Sequence, residues 1–216
     1  MYTAIIFDLD GVITDTARFH YLAWKRLAEG LGVPFDEAFN EQLKGVDRMG
    51  SLDLILKRGG LDPDQAERLR LADQKNEDYK KLVVTMTRAD LLPGALEALQ
   101  AARELGLKTG LASVSKNAGT ILERLGIVDL FDYVVDANLI KRGKPDPEIF
   151  LTAAERLGVA PSACLGVEDA AVGVQAIKSA GMVAIGVGDP VILAQADRVV
   201  PTLAAFDLRE LVRSLS

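Results

Sequence analysis

Two aspartates follow the first apolar run of the chain, within the sequence IIFDLDGVITDT. Asp8 and Asp10 are two residues apart and stand directly before a glycine. Side chains of this charge are rarely buried unless they are paired or bind a metal ion. One carboxylate of such a pair can attack phosphorus, and the other can move the proton of the leaving oxygen. Alone, an Asp-x-Asp pair is more typical of a turn or a helix cap, so its interpretation depends on the residues that join it.

Other polar residues follow the later apolar runs in the same way. Ser113 follows LKTGLA, Lys144 lies in KRGKPDP, and the pair Glu168 and Asp169 follows ACLGV. Clustered carboxylates favour a hard cation such as Mg²⁺, while a lysine and a hydroxyl can bind phosphate oxygens. Taken singly, Ser113 and Asp169 could cap helices and Lys144 could be a surface lysine. Together they predict a site for phosphoryl transfer.

The elements that would position these residues are short apolar runs alternating with amphipathic ones. The runs predict strands at 3–8, 107–113, 132–136, 162–168, 182–187 and 198–200. Between the later runs, four segments with helical patterns end in glycine: 93–106, 115–126, 146–158 and 169–181. Strand and helix in alternation predict the α/β class, a Rossmann-like parallel sheet whose strand ends meet at one edge.

One long segment interrupts this alternation. Residues 15–88 contain helical patterns and no convincing strand. We therefore expect a catalytic core formed by 1–14 and 89–216, with a small helical cap domain of residues 15–88 inserted after the first strand.

Composition limits the class of protein further. The net charge of −6 and the lack of clustered basic residues argue against a nucleic-acid surface. No apolar run is long enough to span a bilayer, and the one cysteine, Cys164, lies in an apolar run. We expect a soluble cytoplasmic protein that acts on a small molecule, without a membrane or nucleic-acid partner and as a monomer.

The ordered motifs resemble those of the haloacid dehalogenase-like hydrolases. DLDGVITDT is similar to the first motif of that family, Ser113 to the second, Lys144 to the third and GVEDA to the fourth. The resemblance implies a cap that closes over the core, and Mg²⁺ held by Asp8, the backbone oxygen of Asp10 and Asp169, with Glu168 contributing directly or through water. An acid at position 10 is similar to the phosphatases and phosphomutases of the family, and less so to its dehalogenases.

Within that family, longer segments such as FNEQLKGVDRMGSL and GVEDAAVGVQAIKSAG resemble the β-phosphoglucomutases. This resemblance implies interconversion of β-D-glucose 1-phosphate and D-glucose 6-phosphate, with an aspartyl-phosphate enzyme and β-glucose 1,6-bisphosphate as intermediates. Val114 and Asp47 depart from the expected pattern, the first by its size and the second by its charge. The implied substrate-binding residues are Thr16, His20, Trp24, Lys44, Gly45, Val46, Asp47, Arg48, Ser51, Lys75, Ser115, Lys116 and Asn117.

Several of these residues have a plainer interpretation. Trp24 could be a packing residue or a wall against the sugar, and Lys44 and Lys75 could be surface charges. His20 lies four residues before Trp24, on the same face of a predicted helix, where the resemblance implies that it couples cap closure to Asp10. A guanidinium suits a phosphate that is not transferred, which is the role expected for Arg48, predicted in a loop between cap helices.

Two alternative functions remain at this point. A sugar-phosphate phosphatase would use the same core and release inorganic phosphate. A non-catalytic binding module would keep the fold without needing the chemistry of Asp8.

Overall fold

The structure, a computed structural model, describes residues 2–43, 46 and 48–214. The chain divides into two compact units. The first unit comprises Met1–Asp15 and Met86–Ser216, and the second comprises Thr16–Thr85. Each unit has its own buried core and is described separately.

The first unit is built on a six-stranded sheet in the order β3-β2-β1-β4-β5-β6. All of its strand pairs are parallel, which confirms the predicted α/β class. The strands are β1 (Ala4–Phe7), β2 (Lys108–Leu111), β3 (Tyr133–Val134), β4 (Cys164–Glu168), β5 (Val183–Val187) and β6 (Arg198–Val200).

The three central strands end in register. Phe7 at the end of β1 pairs with Leu111 of β2 and Val167 of β4. All four residues of β1 are buried, as expected of a central strand covered on both faces. The residues that follow β1, β2 and β4 therefore emerge at one edge of the sheet.

The second unit is helical, and its described residues contain no named strand, as the sequence predicts. Asp36 and Asp64 begin two of its helices by accepting the backbone N–H groups of Phe39 and Glu67. Its core is formed mainly by aliphatic and aromatic residues and includes the buried Trp24. The helices are α1 (Ala17–Gly30), α2 (Glu37–Asn40), α3 (Arg48–Gly59) and α4 (Gln65–Val83).

Four helices of the first unit follow the predicted segments closely, and a fifth, Leu208–Ser214, lies outside them. α6 and α7 end at Gly126 and Gly158, both in the left-handed conformation that glycine adopts without strain. None of the helices among the described residues combines the length and apolar character needed to cross a bilayer. The helices are α5 (Ala95–Glu104), α6 (Ala118–Leu125), α7 (Glu148–Leu157), α8 (Ala171–Ser179) and α9 (Leu208–Ser214).

The two segments that lead out of the first unit and back into it are bonded to each other. The backbone N–H of Leu92 donates to the carbonyl of Ile13 at 2.9 Å. The Thr14 hydroxyl donates to the carbonyl of Asp90 at 2.7 Å, and Thr14 forms an antiparallel bridge with Leu91. Hydrogen bonds within the first unit therefore hold both connecting segments in place.

Candidate active site

A lysine joins two carboxylates at the carboxyl edge of the sheet. The Nζ atom of Lys144 lies 2.6 Å from Oδ1 of Asp8 and 2.6 Å from Oε2 of Glu168. Asp8 follows β1 directly, Glu168 is the last residue of β4, and both are buried. Asp10 lies in the turn after β1 and forms an isolated bridge with Thr14. Three parts of the chain thus meet where the sequence predicts chemistry, and Lys144 is not a surface lysine.

Burial and the neighbouring charges shift the pKa values of these groups. Burial, then the charge of Glu168, raises the pKa of Asp8 to about 6, although Lys144 opposes the shift. Burial also raises the pKa of Glu168, against the effect of Lys144. Burial alone would lower the pKa of Lys144, but the carboxylates of Asp8 and Glu168 outweigh it and raise this pKa above its usual value. Lys144 therefore stays charged and favours the ionised form of both acids.

Carboxylate oxygens of Asp8, Glu168 and Asp169 all lie within 4.8 Å of one another. Oxygen donors of this kind fit Mg²⁺, which prefers carboxylates together with phosphate oxygens or water. Burial, followed by the charge of Asp8, raises the pKa of Asp169, as expected where acids crowd one another. The donor set therefore fits the predicted metal, whereas the role of the Asp10 backbone oxygen stays a prediction.

Two glycines leave room for these acids. A Cβ atom at Gly11, whose φ is +76°, would lie 1.9 Å from Oδ2 of Asp169. A Cβ atom at Gly173 in α8 would lie 2.0 Å from Cδ of Glu168.

The start of α8 also bears on the alternative role of Asp169, since Ala170 and not Asp169 precedes the first helical residue. A cap function for Asp169 is therefore not observed.

We expect Gly173→Ala to lower turnover at least tenfold, because Glu168 must move and the contacts of its carboxylate with Lys144 and the neighbouring acids change with it. Gly30→Ala, also in a helix but with no atom within 4 Å of the added carbon, is the matched control. Steady-state kinetics and a Mg²⁺ titration of both variants measure the effect. Equal kinetics for the two variants would contradict the packing argument.

Ser113 begins a loop of polar residues between β2 and α6. Its buried hydroxyl oxygen accepts the backbone N–H of Ser115 at 3.1 Å, and the Ser115 hydroxyl oxygen accepts that of Asn117 at 3.3 Å. Asn117, not Ser113, is the cap residue of α6. Lys116 is exposed, and so is Val114, at 58%. The loop therefore offers hydroxyl and amine groups, and the large side chain at 114 points to solvent.

In the second unit, Lys75 lies among aromatic rings. Its Nζ is 2.8 Å from Nδ1 of His20, 4.7 Å from the ring centre of Trp24 and 5.0 Å from that of Tyr79. His20 stacks on Tyr79 with ring centres 4.1 Å apart. Lys75 is only 3% exposed, so its interpretation as a surface charge is wrong. Trp24 packs in the helical core, and a role against a sugar stays a prediction.

This packing shifts both basic groups toward their neutral forms. Burial and then the charge of Arg48 lower the pKa of Lys75 to about 7. Packing of one face of the His20 ring removes water from it, and this partial burial, followed by the charges of Lys75 and Arg48, lowers the pKa of His20. A charged Lys75 can only donate, so the neutral His20 ring then accepts at Nδ1 and carries its proton on Nε2.

We expect Lys75→Met to stabilise the helical unit by about 1 kcal/mol or more at pH 7. The pKa of Lys75 is about 7 in the folded protein and 10.5 ordinarily. Below pH 7 the side chain is therefore charged in both the folded and the unfolded state, and burying the charge has its full cost in folding free energy. That cost disappears as the pH rises toward 10.5, and the gain from methionine should shrink with it. Unfolding followed by Trp24 fluorescence, at pH values from neutral to alkaline, reports on this unit because the chain has one tryptophan.

Lys80→Met is the control for this measurement, since Lys80 is exposed on the same helix and pairs with Glu77. Its effect should stay within about 0.5 kcal/mol at every pH. A gain for Lys75→Met that did not change with pH would contradict the assignment of the cost to a buried charge.

The remaining predicted residues of the second unit differ in surroundings. Arg48 is the first residue of α3 rather than a loop residue, and its Nη2 donates to Oδ1 of Asn76 at 3.0 Å. The buried Ser51 donates to the carbonyl of the half-exposed Val46 at 3.3 Å. Thr16 is buried at the start of α1. The predicted residues Lys44, Gly45 and Asp47 lie outside the described part of the chain.

Some residues that shape these clusters were not found from the sequence. Tyr79 is one helical turn after Lys75, so the four-residue spacing on α4 is a signal that could have found it. Gly173 stands inside a predicted helix, where a glycine is unfavourable and often marks close packing. Asn76 has no such signal, because its contact with Arg48 joins two helices distant in sequence.

Comparison with known proteins agrees with this geometry. Residues 2–181 match the family model described as hydrolase, haloacid dehalogenase-like hydrolase. A β-phosphoglucomutase of Bacillus subtilis (strain 168) is 51% identical over 199 residues, which cover 91% of this chain and 88% of that protein. A phosphorylated carbohydrates phosphatase of Thermotoga maritima is 35% identical, over 83% of this chain and 82% of that protein.

The fold also matches solved structures. The crystal structure of a β-phosphoglucomutase from Clostridium difficile superposes with a TM-score of 0.87 and is 45% identical. The match covers 99% of this chain and 96% of that one. Sequence and fold therefore indicate the same group of proteins.

Proposed function

This chain belongs to the haloacid dehalogenase-like hydrolase family, and from that premise we propose that it is a β-phosphoglucomutase. The proposed reaction interconverts β-D-glucose 1-phosphate and D-glucose 6-phosphate through β-glucose 1,6-bisphosphate. The observation that carries the phosphoryl-transfer part is the contact of Lys144 with Asp8 and Glu168 at the end of the central strands.

In the proposed reaction, the 6-hydroxyl of β-D-glucose 1-phosphate attacks the phosphorus of phosphorylated Asp8, the bond from phosphorus to the Asp8 oxygen breaks, and β-glucose 1,6-bisphosphate forms, while Asp10 takes the proton of the attacking hydroxyl. The bisphosphate then binds in the reverse orientation. A carboxylate oxygen of Asp8 attacks its 1-phosphoryl group, and Asp10 gives the proton to the leaving sugar oxygen as D-glucose 6-phosphate forms. Lys144 and Ser113 donate hydrogen bonds to the phosphoryl oxygens. The same groups serve both halves of the cycle, so each turnover regenerates the phosphorylated Asp8.

We place Mg²⁺ at Asp8, Glu168, Asp169 and the backbone oxygen of Asp10. When bound, this ion supplies positive charge that offsets the crowded carboxylates and the negative phosphoryl oxygens. The three carboxylates fit this role by their oxygen donors and their mutual spacing. Lys144 adds the one cation that this cluster of side chains provides itself.

A mutase must bind two phosphates, whereas a phosphatase needs only one. For the phosphate that is not transferred we propose Arg48 of the helical unit, because a guanidinium can bind two phosphate oxygens at once. The contact with Asn76 supports this role by limiting the orientations of the Arg48 side chain. The other residues that we propose for sugar and phosphate contacts are given for each unit separately. In the helical unit they are Thr16, His20, Trp24, Lys44, Gly45, Val46, Asp47, Ser51 and Lys75, and in the first unit they are Ser115, Lys116 and Asn117.

We expect Arg48→Ala to reduce turnover of the bisphosphate at least tenfold and hydrolysis of acetyl phosphate less than twofold. Acetyl phosphate has a single phosphate and cannot use a second phosphate site. Parallel steady-state assays with the two substrates measure the difference, with Arg58→Ala on the same helix as the control. Equal losses on both substrates would contradict the role of Arg48.

The function itself is tested by ³¹P NMR of the protein with Mg²⁺, β-D-glucose 1-phosphate and a trace of glucose 1,6-bisphosphate. Growth of a glucose 6-phosphate signal with little inorganic phosphate supports the mutase. Inorganic phosphate as the main product supports a sugar-phosphate phosphatase instead, the activity named for the 35% identical relative from Thermotoga maritima. The fate of the phosphoryl group therefore separates the two functions in one experiment.

A further inference from the structure

The loop that carries Lys144 lacks regular secondary structure. Residues 140–147 form turns and bends between a short helical turn and α7. Yet the Lys144 ammonium meets two carboxylates at 2.6 Å each, which leaves little tolerance for movement. Displacement of a catalytic group by about 1 Å can cost on the order of 100-fold in rate. Something outside Lys144 must therefore hold this loop in place.

Glu148, the first residue of α7, is bonded to the opposite end of the loop. Its Oε1 accepts the backbone N–H of Lys141 at 2.9 Å, and its Oε2 accepts that of Arg142 at 3.0 Å. The same Oε2 accepts Nε–H of the Arg142 side chain at 3.1 Å. One carboxylate thus closes the segment 141–148 into a ring that contains Lys144.

A second acid strengthens this ring. Asp146 donates its backbone N–H to the carbonyl of Gly143 at 3.0 Å, so the chain turns tightly around Lys144. Its carboxylate accepts the backbone N–H of Glu148 at 3.0 Å and lies 3.3 Å from Nη1 of Arg142. The ring is therefore bonded on both sides of the lysine.

The bonding of Glu148 differs from that of an ordinary acid at a helix start. Such an acid is commonly explained by the favourable interaction with the helix dipole, for which no particular partner is needed. Both oxygens of Glu148 instead accept backbone N–H groups six and seven residues earlier. The N–H of Lys141 and then Arg142 lower the pKa of Glu148, which keeps the carboxylate in its accepting form.

We propose that Glu148 is a positioning residue for phosphoryl transfer, because its carboxylate fastens the loop that presents the Lys144 ammonium to Asp8 and Glu168. The inference rests on the proposed function, since it assigns to Glu148 an effect that acts through Lys144. It involves no contact of Glu148 with substrate.

The test compares kcat of Glu148→Ala with that of Glu155→Ala, an exposed acid on the same helix. We expect Glu148→Ala to lower kcat by 10- to 100-fold and Glu155→Ala by less than twofold. Arg142→Ala keeps both backbone bonds to Glu148 and should lose less than threefold. Glu148→Gln, which retains one acceptor oxygen, should fall between Glu148→Ala and the wild type.

A double-mutant cycle separates positioning from general stability. In a Lys144→Ala background, Glu148→Ala should reduce the remaining activity less than twofold, because the group that it positions is already absent. A structural role would cost the same factor in both backgrounds, and that result would overturn the inference. If Glu148→Ala fails to fold, Glu148→Gln takes its place in the cycle with the same criterion.

The outcomes also distinguish this inference from the function on which it rests. Full activity of Lys144→Ala alone would remove the proposed role of Lys144 and the inference with it. An inactive Lys144→Ala protein beside a fully active Glu148→Ala protein would overturn the inference and leave the proposed function intact.

Discussion

Asp8→Asn should abolish phosphoryl transfer, with a loss of turnover on the order of 10⁴-fold or more. The asparagine amide is nearly the same shape as the carboxylate but cannot attack phosphorus. Lys144 keeps its bond to Glu168, so the fold around the site should persist. Burial raises the pKa of Asp8 to about 6, so the wild type carries a costly buried charge at neutral pH that the variant lacks. The melting temperature should therefore stay equal or rise while activity disappears.

Steady-state assays and thermal melts of the variant measure both parts of this prediction. Asp129→Asn, at an exposed position in the first unit, is the control and should keep its activity within twofold. Retained turnover in Asp8→Asn would remove Asp8 as the nucleophile. Full biological activity of a catalytically dead Asp8→Asn protein would instead favour a binding module.

Lys144→Ala should lower turnover by about 10²- to 10³-fold, the usual cost of losing one preorganised donor to a developing charge. The change also removes the cation that opposes the raised pKa of Asp8. That pKa should rise further, so the acid limb of the pH–rate profile should move to higher pH. Asp8 and Glu168 then lack the ammonium that neutralises them and attract a cation more strongly, so less Mg²⁺ should be needed for half-maximal rate where both acids are ionised.

Lys178→Ala is the matched control, because Lys178 is a partly exposed lysine paired with Asp197 in the same unit. Its kinetics and metal requirement should change by less than twofold. A Lys144→Ala protein with a reduced rate but an unchanged acid limb of the pH–rate profile would separate donation to the phosphoryl group from the effect on the pKa of Asp8. It would mean that Lys144 acts on the phosphoryl group and leaves the ionisation of Asp8 unaffected.

The core was predictable because its rules are local. Buried parallel strands are continuous apolar runs, and helices that end in glycine are visible in one sequence. Polar residues at the carboxyl ends of such strands, including Asp8 and Glu168, had to reach the same edge once the sheet was parallel. The short helix α9 was not predicted, since one or two helical turns are too short to show a clear hydrophobic periodicity.

Contacts between distant segments could not be predicted in this way. Lys75 was open to interpretation as a surface charge, because no local pattern says that the lysine will meet His20, 55 residues earlier. Arg48 was predicted in a loop, whereas it is the first residue of α3 and donates to Asn76, 28 residues later. Glu148 lies four residues after Lys144, but its bonds to residues 141 and 142 become visible only in three dimensions.

The bonds between the two crossing segments have a consequence for protein engineering. Ile13 and Leu92 hold the exit and the re-entry of the chain side by side within the first unit. An insertion whose ends already meet adds little loop-closure entropy to the host fold, whatever its length. A short turn from Asp15 to Met86 could therefore replace the 70 residues of Thr16–Thr85. The same junction is a natural grafting point for exchanging one helical module for another.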